Sequence, residues 1–62
     1  MTKVRDLKSH LRQHGCQLVR EGSKHEVWEG PDGRRATLPR HREIPAATAR
    51  AICSQLAVEK IR

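Results

Sequence analysis

Phenylalanine and tyrosine are absent from this chain of 62 residues, and Trp28 is its single aromatic residue. Without large rings the core must be thin: apolar residues make up 35% of the sequence, and a chain this short leaves roughly 40% of its extended surface in water even when folded. Stability on the order of a few kcal/mol is expected, so that a bound partner adds to it appreciably. Cysteine is scarce as well. Cys16 and Cys53 are the only two, with no C-x-x-C and none of the dense spacing of disulfide scaffolds, which predicts free thiols in a reducing compartment. No apolar run approaches the ~20 residues of a membrane-spanning helix, and Met1-Thr2-Lys3 opens onto a charged amphipathic segment rather than a signal peptide. A soluble, cytoplasmic protein is the expectation. Repeats, linkers and low-complexity tracts are missing, so residues 1–62 read as one domain. Acidic residues are few: seven against thirteen Lys and Arg, for a net charge of +6 with histidines neutral. That balance predicts attraction to polyanions, with RNA, DNA or an acidic protein as the candidates and membranes the weakest of them.

What the chain does contain is periodic. Val4, Leu7 and Leu11 are spaced three and four apart, with charged residues on the other faces, which predicts an amphipathic helix over about residues 3–14. Thr2 is expected to cap its start and Gly15 to end it in the left-handed conformation. Three short runs follow, Cys16 to Glu21, Lys24 to Glu29 and Arg34 to Leu38, separated by Gly22-Ser23 and by Gly30-Pro31-Asp32-Gly33. Both separators carry turn chemistry, the Pro-Asp-Gly loop more firmly, and so predict two hairpins. Pro45 suits the first turn of a second helix, in which Ala49, Ile52, Cys53 and Leu56 recur at i, i+3, i+4 and i+7. Cys53 reads there as a small buried hydrophobe. No Gly or Pro follows Leu56, so this helix is expected to fray through residues 58–62. The prediction is an α+β fold of order α-β-β-β-α: a three-stranded antiparallel sheet with two helices packed on one face, since the strands have too few apolar residues to bury both. That order is similar to the double-stranded-RNA-binding domain, which by itself says nothing about function.

Among the side chains that carry chemistry, His10 and His14 stand at i and i+4, a metal-ligand spacing, but no third ligand accompanies them. They read as solvated helix histidines, and no metal or cofactor is expected. His25 is different. It follows a Gly-Ser-Lys turn and begins a strand, where a side chain is held firmly yet stays near solvent. Imidazole accepts and returns a proton near neutral pH, so one such residue is able to serve cleavage of a phosphodiester by the RNA's own 2′-OH. From Arg34 to Arg42 the chain has four arginines and no acid. Alternation sets Arg34, Ala36 and Leu38 on one strand face and Arg35 and Thr37 on the other, with Arg40 and Arg42 in the loop beyond. Guanidinium groups bind phosphate bidentately and suit an RNA backbone led toward His25; a solvated basic edge that deters strand-to-strand aggregation is the plainer reading. Trp28 shares a strand face with Lys24 and Glu26, and reads as packing rather than as a platform for bases.

Three segments together resemble the HicA toxin family: Gly22-Ser23-Lys24-His25, Arg34-Arg35-Ala36-Thr37-Leu38-Pro39-Arg40-His41, and Glu43 through Ile52. The likeness runs from Val4 to about Leu56. It implies a double-stranded-RNA-binding-domain-like fold, ribosome-independent cleavage of mRNA, and neutralisation by a HicB antitoxin in a toxin–antitoxin hetero-oligomer. The family's catalytic histidine carries over to His25, its turn to Gly22 and Ser23, and a basic motif position to Arg40 and His41. On this reading Lys24, Arg34, Arg35, Arg40 and His41 contact RNA, and Lys24, Arg35 or Arg40 stabilises the charged phosphorane. Two departures stand out: Lys24 precedes the histidine where many members carry a further histidine or basic residue, and Ala57 stands where the last helix usually stops at Gly. A non-catalytic RNA-binding module of the same fold is the alternative. It calls for a basic cluster at the start of the last helix, where residues 45–49 are Pro-Ala-Ala-Thr-Ala.

Overall fold

The computed structural model describes residues 1–61. A short strand β1 (Thr2–Lys3) leads into helix α1 (Val4–Gln13); strands β2 (Gln17–Glu21), β3 (His25–Glu29) and β4 (Arg35–Pro39) follow, then a second short strand β5 (Glu43–Ile44) and helix α2 (Ala46–Gln55). Strands β2, β3 and β4 form the expected antiparallel meander.

The helical stripes enter the core as their spacing requires. Val4, Leu7 and Leu11 of α1 and Ala49, Ile52 and Cys53 of α2 are buried, with Leu56 immediately beyond. They meet Trp28, Ala36 and Leu38 on the inner face of the sheet, together with Cys16 and Ile44. Leu7, Leu11, Leu38 and Leu56 are fully enclosed, each contributing about 1.5–3 kcal/mol relative to exposure. The sheet's other face carries no helix side chains into the core, and the molecule is a slab of 27 × 27 × 16 Å. Both cysteines are free and buried. Burial pushes the Cys16 thiol above its ordinary range, and neighbouring Cys53 adds to the effect.

The chain ends of the helices differ from the sequence-based expectation. Thr2 does not cap α1. It pairs in β1 with Ile44 of β5, Lys3 takes the cap position without a side-chain bond, and the Val4 N–H donates to the Arg42 carbonyl at 3.0 Å. Strand pairing over forty residues of sequence has no local signature, so it was invisible in the pattern. Gly15 does terminate α1, at φ 85°. Pro45 stands one residue outside α2, at its cap, rather than in its first turn.

The far end of α2 is a stop and not a fray. Ala57 adopts φ 57°, and the N–H groups of Ala57 and Val58 donate back to Ser54 and Cys53, closing the last turn in the manner usually reserved for glycine. What holds Ala57 there is packing on either side: Leu56 is buried, and Val58 and Ile61 pack against the core. Gly30 sits beneath this corner, where any Cβ would collide with the Leu56 carbonyl.

Candidate active site

Strand β3 enters the sheet from a tight reversal. The Gly22 N–H donates to the His25 carbonyl at 2.8 Å, closing the turn Gly22-Ser23-Lys24-His25. Opposite, His25 is in register with Pro39, the last residue of β4. The chain leaving β4 then fastens the turn from outside: the Arg40 N–H donates to the Lys24 carbonyl at 3.1 Å, and Arg40 Nη1 donates to the Gly22 carbonyl at 2.9 Å. The turn that carries His25 is therefore fastened on both sides, at His25 by Gly22 and at Lys24 by Arg40, while the His25 side chain is exposed, on the face of the sheet away from the helices. Gly22, Ser23, Lys24, Arg40 and His41 are exposed around it. The His25 side chain is thus set on a bonded turn at its root and open to solvent at its tip.

Not every basic residue is gathered here. Arg35 is in register with Glu29 at the opposite end of the β3–β4 pair, about 13 Å from the His25 level at the usual rise per residue. Its Nε donates to Glu29 Oε2 at 3.1 Å across the open face. Arg34 lies outside the strand, in the hairpin loop, where its Nε pairs with Asp32 Oδ2 at 3.1 Å; the strand face expected for it does not apply. Lys24 likewise stands in the turn and not in β3, so it does not share the Trp28 face. The sequence thus names the arginines correctly as one basic run, but the antiparallel register divides them between two ends of the sheet.

The inner side of β3 ties the histidine strand to α1. Trp28 is buried and its Nε1 donates to Glu26 Oε1 at 3.1 Å; Arg12 lies over its ring with Cζ 5.1 Å from the centroid. Lys8 Nζ of α1 reaches the same carboxylate, 3.1 Å from Oε1 and 3.2 Å from Oε2. Burial by itself raises the Glu26 pKa, but the bonds from Trp28 and Lys8 and the charges of Lys8 and Arg40 outweigh it, and the carboxyl is held below its ordinary range. Alternation had set Glu26 beside Trp28; only the fold supplies the Lys8 partner, eighteen residues away.

His10 and His14 are half-buried rather than solvated. Their rings lie 4.4 Å apart, His10 Nε2 donates to the Glu59 carbonyl at 2.6 Å, and His14 Nε2 is 3.8 Å from Glu59 Oε2. They tie the segment after α2 to α1. Among the described residues no group of three metal-ligating side chains is assembled, and no helix is long and apolar enough to cross a membrane.

Comparison with protein families finds one whose model, described as the HicA toxin of bacterial toxin-antitoxin, matches residues 4–58. That span opens with α1 and closes just after the Ala57 stop. Comparisons with curated proteins and with solved structures find no match.

Proposed function

Because the chain belongs to the HicA toxin family and is thus a toxin of a bacterial toxin–antitoxin system, we propose that it acts as an endoribonuclease on mRNA and that His25 moves the proton. The reaction is attack of a ribose 2′-OH on the adjacent phosphorus with departure of the 5′-oxygen; it needs one proton removed and one supplied, and no metal. His25 serves as base toward the 2′-OH or as acid toward the leaving oxygen. The observation that supports this reading is the clasped turn: an exposed imidazole on a residue whose carbonyl takes the Gly22 N–H, in a turn that Arg40 holds through the Lys24 and Gly22 carbonyls, with a cationic loop beside it.

Negative charge developing on the phosphorane calls for a cation within reach. Lys24, next to His25, and Arg40, across the turn, are at the right end of the sheet. Arg35 and Arg34, at the other end and paired with Glu29 and Asp32, suit a more distant part of the RNA backbone along the open face. His41 extends the loop beyond Arg40. The antitoxin partner we infer is a HicB protein whose acidic surface covers the His25 turn and the arginine loop in a hetero-oligomer, since closing the substrate path is the simplest inhibition.

Purified protein incubated with RNA in EDTA tests the proposal. The parent cleaves, and His25→Ala lowers the rate by about 10²–10⁴-fold, the usual worth of one proton-transfer residue, with an unchanged melting curve. A His25→Ala protein that cleaves at the parental rate removes His25 from the chemistry. Binding without cleavage by the parent turns the reading into that of a non-catalytic RNA-binding module.

A further inference from the structure

Where the chain passes from β4 into β5, the surface opens into a cavity of about 200 Å³ lined by Lys3, Arg5 and Arg42. These residues come from the cap of α1, its first turn and the loop before β5, and two backbone links draw them together: the pairing of Thr2 with Ile44 and of Lys3 with Glu43, and the bond from the Val4 N–H to the Arg42 carbonyl. Three cations converging on one concavity repel one another, and little in the fold offsets this. Arg5 Nε is 3.6 Å from Asp6 Oδ1, with both side chains largely in water. Among the described residues Lys3 and Arg42 have no ion pair, although Glu43 stands opposite Lys3 in register.

The position of the cavity says which anion it suits. Arg40 clasps the His25 turn and Arg42 lines the cavity, and two residues of chain span at most about 7 Å, the scale of one nucleotide step. The loop 40–42 therefore joins the turn to the cavity with an arginine at each end, a spacing that suits a polymer of regularly spaced charges. Resting on the nuclease reading above, we propose that Lys3, Arg5 and Arg42 form a phosphate subsite that binds the RNA backbone next to the nucleotide being cleaved. The subsite positions substrate and takes no part in proton transfer. It recognises phosphate and not bases, so it adds affinity without sequence preference.

Binding of 2′-O-methyl RNA, which lacks the attacking hydroxyl, tests the assignment in the full chain. The probes are one long single strand and one dinucleotide that reaches only the His25 turn. For Lys3→Gln/Arg42→Gln, affinity for the long strand falls about tenfold and the salt slope drops by about 0.7 per lost contact, while dinucleotide affinity matches the parent. Lys60→Gln, an exposed charge elsewhere, is the control for net charge, and thermal melting checks folding of each variant. A long-strand loss no greater per charge than that of Lys60→Gln overturns the subsite, and leaves the nuclease reading standing if the parent still cleaves. Unchanged RNA affinity with weakened binding of the purified antitoxin also overturns it, assigning the cavity to the protein partner. A parent that neither binds nor cleaves RNA overturns both.

Discussion

Glu26 is the buried carboxylate among the described residues, and it sits directly beside the histidine on which the proposed chemistry depends. Alternation sends Glu26 inward and His25 outward from adjacent positions of one strand. The inward residue is satisfied by Trp28 and Lys8, so the strand is bolted to α1 where its neighbour faces solvent. Its depressed pKa sets the sign of a pH effect. The folded form holds the carboxylate below its ordinary value of 4.5, so the stabilisation is fully present above that value and is lost as pH falls through the lower, folded one. Melting curves should therefore show destabilisation on acidification below about pH 4.5, and Glu26→Gln should flatten that slope. At neutral pH the same substitution costs about 1–3 kcal/mol, because Lys8 loses its counter-charge while Trp28 keeps an acceptor.

Turns and helix ends are the elements in which this chain departs from the simplest local rules. The turn before β3 has no proline and only one glycine, yet it is closed by the Gly22 N–H and clamped by Arg40, the residue just after β4. The stop after α2 uses Ala57 in a left-handed conformation, at a cost of roughly 1 kcal/mol for a residue with a Cβ. Replacing it should relieve that strain: Ala57→Gly is expected to raise stability by about 0.5–1 kcal/mol, seen as a Tm increase of a few degrees in a domain of this size. A decrease in Tm would mean that the corner is held without strain. Gly30 belongs to the same corner, since its missing side chain is what lets the β3–β4 hairpin approach the end of α2.

At the scale of the whole molecule, a slab 16 Å thick with a net charge of +6 exposes one bare sheet face and one cationic end. The apolar core lies wholly to the other side. Such a body attracts an acidic partner over distance, and the attraction is screened by salt. The complex with its antitoxin is accordingly expected to weaken by on the order of tenfold between about 0.05 and about 0.5 M salt, chiefly through slower association, as measured by surface plasmon resonance or calorimetry. An affinity independent of salt would place the interface on the exposed Leu18 and Val19 of the β2 edge rather than on the basic loop.

Legible from the residues alone were the order of the main elements, the apolar stripes of both helices, the inward side of β3 and the resemblance that singled out His25. The stripes and the strand faces depend on spacing within a dozen residues, where helical and strand periodicity act directly on the pattern of side chains, and the resemblance depends on three such local segments in order. Tertiary structure settled which arginine stands at the histidine turn, because antiparallel register sends Arg35 to the far end of the strand pair and brings Arg40 onto the turn. It alone paired β1 with β5, supplied Lys8 to Glu26 and joined Lys3, Arg5 and Arg42 around a common hollow. Contacts of that kind join residues far apart in the chain, and they are selected by how the layers pack rather than by any local preference.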